Sequence, residues 1–136
     1  MALLEKELYI KKSMLPDAGM GLFTKTFIPK GTRIVEYKGR ISNWKELEEK
    51  EWSNGYIFYV TRNHVINARP YKKSLARYAN DAKGLHKVRG VRNNALYATS
   101  GRRVFIDTKA DIDAGSEIFV DYGKEYWDAV KHNKTI

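Results

Sequence analysis

Apolar and polar residues alternate in short runs along much of the chain, and glycine, proline, asparagine and serine interrupt these runs. Runs that are rich in β-branched and aromatic residues and end at such breakers are typical of short β-strands. The predicted strands are Leu8–Lys12, Arg33–Tyr37, Tyr56–Thr61, His64–Ala68, Ala95–Thr99 and Arg103–Thr108. With about eight short strands in all and one clear helix, the pattern predicts a mostly β domain.

The run from Glu117 to Trp127 predicts a further strand that ends at a sharp turn. Its sequence is EIFVDYGKEYW, in which apolar residues precede an acid, a tyrosine and a glycine. Because side chains alternate along a strand, Val120 and Tyr122 should share one face while Phe119 and Asp121 share the other. A phenol at a strand end is well placed to line a pocket, and packing of the aromatic residues in the core is the alternative.

Other segments lack the period of a strand. SMLPDAGMGLF, which follows the first strand, is interpreted as a loop in which Gly19 and Gly21 flank Met20. Glycines let a backbone approach a ligand closely, although neither a dinucleotide fingerprint nor a P-loop is complete here. WKELEEKEW predicts the helix. Residues 69–94 have no clear period, which in a compact domain indicates a working loop.

The composition excludes several kinds of site. A chain of 136 residues fits one domain with its own core, and without cysteine it has no disulfides, thiol nucleophiles or Cys-ligated zinc. The three histidines are far apart and lack metal-ligand spacing, so we predict no metal site. Because no bilayer-spanning run or signal-peptide pattern is present, we expect no membrane partner and an intracellular location, cytoplasmic if bacterial and nuclear if eukaryotic or viral.

The chain is strongly basic. Its 25 lysines and arginines exceed its 16 acidic residues and give a formal net charge of +9. Such a charge favours encounter with polyanions, but the basic residues are scattered and no DNA-reading helix accompanies them. We interpret them as a solvated basic face, which leaves proximity to nucleic acid open. A small RNA-binding β-barrel is disfavoured because the aromatic residues fall on core-like strands.

Four motifs in register carry a family resemblance. They are Gly19-Met20-Gly21, Glu36-Tyr37-Lys38-Gly39, Arg77-Tyr78-Ala79-Asn80-Asp81 and Val120-Asp121-Tyr122-Gly123. In order and content they resemble the GxG loop, EYxG strand, R-[FY]-x-N-H segment and closing E-x-x-x-D-Y-G strand of the SET-domain protein lysine methyltransferases. We predict a single domain over 1–136, with its core over 8–127 and a short tail over 128–136. The length and the missing cysteines look most like the short stand-alone SET proteins of viruses and bacteria.

This resemblance implies a fold of small curled β-sheets with one or two short helices. The C-terminal strand would thread beneath a loop as a pseudoknot, with S-adenosylmethionine on one face and a narrow lysine channel entering from the other. The cofactor-binding residues would be Gly19, Met20, Gly21, Tyr56, Arg77, Asn80, Asp81 and Trp127. Tyr122 would be the catalytic tyrosine with Tyr37 as its partner, and the lysine channel would be lined by Tyr37, Val120, Tyr122 and Tyr126.

The implied function is S-adenosylmethionine-dependent N-methylation of a lysine in a protein substrate, such as a histone or a histone-like protein. The alternative is a SET-like scaffold without catalysis that acts as a basic interaction module for nucleic acid or chromatin-like complexes. A homodimer is left open. Because the net charge opposes recruitment of a basic tail, acidic residues would have to form a local negative groove. The residues considered for this groove are Glu36, Asp107, Asp121 and Glu125.

Three departures from the family pattern matter. Asp81 stands where the family has a histidine, and Asn67 stands where an acid is common. The cysteine-rich flank of many relatives is missing, so Tyr126 and Trp127 are expected to complete the channel, with the indole over the adenine. Simple packing of these two aromatic residues is the alternative.

Overall fold

The computed structural model describes residues 3–42, 57–61, 64–68, 74–83 and 88–122, with the backbone alone for Ser42, 57–61 and 64–65. The predicted helix and the side chains of Tyr56, Tyr126 and Trp127 lie outside the described residues. Within them, the strands are β1 (Leu8–Lys12), β2 (Met20–Thr24), β3 (Arg33–Glu36), β4 (Arg40–Ser42), β5 (Ile57–Thr61), β6 (His64–Asn67), β7 (Ala95–Ser100), β8 (Arg103–Thr108) and β9 (Glu117–Ile118). Short 3-10 segments span Glu5–Glu7 and Leu75–Tyr78.

The described strands form three small antiparallel sheets. Their strand orders are β1-β2-β9, β3-β8-β7 and β4-β6-β5. A three-stranded sheet buries little surface by itself, so the sheets share a core that contains Leu22, Ile34, Ile106 and Ile118, all fully buried. The prediction of a mostly β fold built from small sheets is confirmed.

The interpretation of SMLPDAGMGLF as a loop is wrong from Met20 onward. Met20–Thr24 form β2, in which Gly21 pairs with Lys11 of β1 and Leu22 pairs with Ile118 of β9. Glycine has a low β propensity, but pairing on both sides overrides that preference. The strand β4 was also missed, because its three residues are too few to show a period.

Residues 117–122, here called the closing segment, lie between the two ends of the connection 81–94. On one side Phe119 forms a parallel bridge with Asn80, and on the other Val120 forms one with Ala95. Every residue from Glu117 to Val120 is buried. The closing segment therefore passes between the ends of a loop, which is the threaded arrangement that the family resemblance implies.

The predicted alternation along the closing segment is confirmed. Val120 belongs to the main core, and Tyr122 packs against the same cluster. Phe119 packs instead into a second, smaller cluster with Leu15 and Ala82. The strand period thus directs Tyr122 toward the main core, where the other tyrosines of the site lie.

Two ion pairs cover the outer face of β8. Arg33 Nε lies 2.8 Å from Asp107 Oδ1, and Arg103 Nη2 lies 2.7 Å from Glu36 Oε1. Both guanidinium groups also stack on the Phe105 ring, at 4.4 and 4.9 Å from its centroid. Phe105 is thereby shielded from water on a face that is otherwise polar. The hydrogen bonds from Arg103 lower the pKa of Glu36, although partial burial opposes that shift.

This lowered pKa predicts how the stability responds to acid. The Glu36–Arg103 pair contributes its full stabilisation above the ordinary carboxyl pKa of 4.5, and that contribution is lost as the pH falls through the lower pKa of the folded state. The wild type should therefore exceed Glu36→Gln in free energy of unfolding at pH 7, and the difference should shrink in acid. Urea titrations across this range test it, with Arg103→Lys expected to keep only part of the difference. A difference that stays constant into strong acid would contradict the prediction.

Candidate active site

Three tyrosines meet at the end of the closing segment. Tyr37 follows β3 and is buried, Tyr97 lies on β7, and Tyr122 lies in the closing segment. Tyr97 stacks on Tyr122 with ring centroids 6.4 Å apart, and it meets Tyr37 edge-on at 5.9 Å. The two tyrosines predicted for catalysis are thus brought into one cluster, and Tyr97 lies between them.

Tyr122 is fixed at both its backbone and its phenol. The Tyr122 hydroxyl donates to the Ala79 carbonyl at 2.5 Å, and the Tyr122 N–H donates to Asp81 Oδ2 at 2.8 Å. Residues 79–81 therefore orient Tyr122 from two points. A phenol whose proton is directed at a carbonyl keeps its oxygen as an acceptor for other donors.

Part of the predicted cofactor-binding set, Gly19, Met20 and Asn80, meets on the other side of residues 79–81. The Asn80 side-chain amide donates to the Met20 carbonyl at 3.0 Å. Gly19 has a positive φ of 72° and closes the turn, since its carbonyl accepts from Ser13 N–H at 2.8 Å. Met20 is exposed, so its side chain and the neighbouring backbone are accessible to a ligand.

Gly21 meets a different constraint. A β-carbon at this position would lie 2.2 Å from Glu117 Oε2, so the buried Glu117 carboxylate requires a glycine. Glu117 itself accepts from Ser13 Oγ at 2.7 Å, Met14 N–H at 2.9 Å and the Asn80 amide at 3.4 Å. The GxG spacing is therefore explained by a turn at Gly19 and by close packing at Gly21.

Asp81 is buried and is hydrogen-bonded within the protein. Its Oδ1 accepts from the Lys83 N–H and from the Asn93 amide, each at 2.8 Å, and its Oδ2 accepts from Tyr122. Asp81 thus ties together the start of the connection, its end and the closing segment. A contact between this residue and the cofactor stays a prediction.

Two further predicted residues have clear positions. Arg77 lies in the second 3-10 segment, donates to the Ala68 carbonyl at 3.0 Å and stacks on Tyr78 at 4.9 Å. Val120 is fully buried in the core beside the tyrosines. Their predicted roles in the cofactor pocket and in the lysine channel remain predictions.

Two residues that shape the site have no predicted role: Glu117, which binds the turn before β2, and Asn94. Tyr97, which completes the tyrosine cluster, is with Tyr59 one of the two tyrosines expected to compete with Val120 for space at the site, and the side chain of Tyr59 lies outside the described residues. The Asn94 side chain donates to the Glu117 carbonyl and accepts from Phe119 N–H. The spacing of Glu117 before Asp121-Tyr122 was the available signal, whereas Asn94 lies in a stretch without period.

The chemistry of the site follows from these groups. Phenols and a backbone carbonyl can orient an amine, and the aromatic rings exclude water. The exposed Met20, the open space about Gly19 and the Asn80 amide fit an amino-acid-like ligand. The described residues contain no cluster of potential metal ligands. No helix among them is long and apolar enough to cross a membrane.

Comparisons with known proteins agree with this geometry. The family model described as SET domain matches residues 19–123. Histone-lysine N-methyltransferase EZH2 of Chaetomium thermophilum is 27% identical over 89% of this chain, which spans 8% of that protein. Histone-lysine N-methyltransferase set-17 of Caenorhabditis elegans is 27% identical over 86% of this chain, which spans 41% of that protein. The methyltransferase domain of human PR domain-containing protein 2 shares the fold, with a TM-score of 0.64 and 22% identity over 86% of this chain and 77% of that one.

The two glycines of the first motif should respond differently to substitution. Gly21→Ala places a methyl group against the Glu117 carboxylate and should cost about 2 kcal/mol or more in free energy of unfolding. The methyl group of Gly19→Ala would meet no atom within 4 Å, so this variant should lose only about 1 kcal/mol in free energy of unfolding, from the strain of a positive φ. Urea denaturation of both variants tests this order. Equal losses would show that Glu117 moves aside without cost.

Proposed function

This chain belongs to the SET domain family, and from that premise we propose that it is an S-adenosylmethionine-dependent protein-lysine N-methyltransferase. The observation that carries the proposal is the position of residues 79–81. They bind the phenol and backbone of Tyr122 on one side and the Met20 carbonyl on the other. Because one short segment positions both sides, a substrate amine at the tyrosines and a methyl donor at the turn would be held in a fixed relative position.

In the proposed reaction, Gly19, Met20, Gly21 and Asn80 hold the cofactor, which supplies a methyl group on a positively charged sulfur. The tyrosines receive the lysine. A lysine with a pKa of about 10.4 costs roughly 4 to 5 kcal/mol to deprotonate at neutral pH. Burial among Tyr37, Tyr97 and Tyr122 lowers this cost, because a dry site disfavours the ammonium form. The phenol oxygens then orient the neutral amine.

The proposed substrate is a lysine in a basic protein tail, as in a histone or a histone-like protein. The named relatives that are histone-lysine N-methyltransferases support this class. Three of the acidic side chains expected to form the negative groove are already paired with basic side chains, which reduces the net negative charge there. The pairs are Glu36–Arg103, Asp107–Arg33 and Asp121–Lys83, the last at 3.6 Å. Glu125 lies outside the described residues. Recognition of the tail would therefore depend on packing and backbone contacts more than on attraction between charges.

Removing one oxygen from the site tests the proposed function. Tyr122→Phe should lower kcat by about 100-fold while the Kd for S-adenosylmethionine stays within a few fold, because the phenol acts on the reacting amine. Calorimetry measures cofactor binding, and transfer of labelled methyl groups to lysine-containing proteins measures turnover.

The matched control is Tyr9→Phe, which removes a phenol from a residue of β1 that stacks on Phe23 of β2 and is not part of the tyrosine cluster. It should leave both quantities unchanged. A wild type that binds no cofactor would refute the proposal in favour of the silent interaction module, and full turnover in Tyr122→Phe would reduce Tyr122 to a packing residue.

The number of methyl groups added provides a further prediction. Val120 has no hydroxyl that could hold a water against the amine, so we expect di- or trimethyl products. Tyr97 stacks on Tyr122 and is the competing determinant of this space. Mass spectrometry of a substrate peptide taken to completion should show the same products for the wild type and Tyr97→Phe. A wild type that stops at one methyl, with higher products from the variant, would assign the limit to Tyr97.

A further inference from the structure

Two carboxyl groups are buried at the closing segment, one on each side of the site. Glu117 begins the segment, and Asp81 lies beside its end. Each residue is only 4% exposed. A carboxyl group is costly to bury unless hydrogen-bond donors surround its oxygens, so the donors around each one show what it holds in place.

The donors to Glu117 belong to the cofactor side. Oε2 accepts from Ser13 Oγ and the Asn80 amide, and Oε1 accepts from Met14 N–H. Ser13 and Met14 begin the turn that leads to Gly19 and Met20. Gly21 follows this turn and packs directly against the Glu117 carboxylate. Glu117 therefore fixes the start of the turn, its end and the Asn80 side chain with one group.

The donors to Asp81 belong to the tyrosine side. Oδ1 accepts from the Lys83 N–H and the Asn93 amide, which hold the carboxylate in place. Oδ2 accepts from the Tyr122 N–H, which follows the last buried residue of the segment. Ser13, Met14 and Asn80 donate to Glu117, whereas Lys83, Asn93 and Tyr122 donate to Asp81.

We propose that the two carboxylates are separate positioning residues, with Glu117 shaping the cofactor turn and Asp81 setting Tyr122 relative to the incoming amine. This inference rests on the proposed function. In place of the predicted contact between Asp81 and the cofactor, it gives Asp81 a role on the side of the phenol, through the backbone of Tyr122. Substitution of Glu117 should therefore change the Kd for S-adenosylmethionine, and substitution of Asp81 should change kcat.

Amide variants test the division with little change in shape. Both oxygens of each carboxylate accept hydrogen bonds. In the amide variant an NH2 group replaces one of these oxygens, so in either orientation of the amide an NH2 donor faces another donor. Glu117→Gln should raise the Kd for S-adenosylmethionine about tenfold while kcat at saturating cofactor stays within threefold. Asp81→Asn should lower kcat about tenfold or more while that Kd stays within threefold. Each variant is the matched control of the other, because the two groups are equally buried.

A merely structural role would move both constants together in both variants. Thermal unfolding is measured in parallel, and where an amide variant fails to fold, Ser13→Ala replaces Glu117→Gln and Asn93→Ala replaces Asp81→Asn, with the same direction expected. The inference is overturned if both variants change the Kd and kcat together, or if Glu117→Gln lowers kcat and Asp81→Asn raises the Kd. The proposed function still stands in that case, provided that the wild type binds the cofactor and transfers methyl groups. A wild type that neither binds the cofactor nor transfers methyl groups overturns both.

Discussion

The burial of the closing segment is the constraint on which the rest of the structure depends. A backbone that is covered on both sides has no water to satisfy its N–H and C=O groups, so neighbouring residues must supply every partner. Here Val120 N–H donates to the Asn80 carbonyl, and the Phe119 carbonyl accepts from the backbone of Asn94 and Ala95. The partners on the two sides come from separate parts of the sequence, Asn80 on one side and Asn94 and Ala95 on the other.

This arrangement makes residues 79–81 a platform shared by both halves of the site. The platform contacts β2 through Asn80 and the tyrosine cluster through Ala79 and Asp81. A shift of the closing segment would move both halves together. Their relative geometry is thus set by hydrogen bonds from one short segment, partly buried on the side of Tyr122 and exposed between Asn80 and Met20.

Local patterns predicted much of the fold. The bounds of β1 and β8 follow from short runs between breakers, and the opposite faces of Phe119 and Val120 follow from the strand period. The family motifs indicated which tyrosines meet. Local patterns could not predict β2 or the role of Glu117, since both depend on partners remote in sequence. The bond from Ser13 to Glu117 joins residues 104 positions apart, and such pairings leave no trace in a short window.

The closing segment also bears on how the protein is made. A ribosome releases residues 117–122 after every other described residue, yet these residues complete the core and carry Tyr122. Until then, the hydrophobic surface of β2 and the smaller cluster around Leu15 and Ala82 lack their central partner. The nascent chain must therefore hold an unfinished core until these residues emerge, and it then acquires the site in one step that joins distant parts of the sequence.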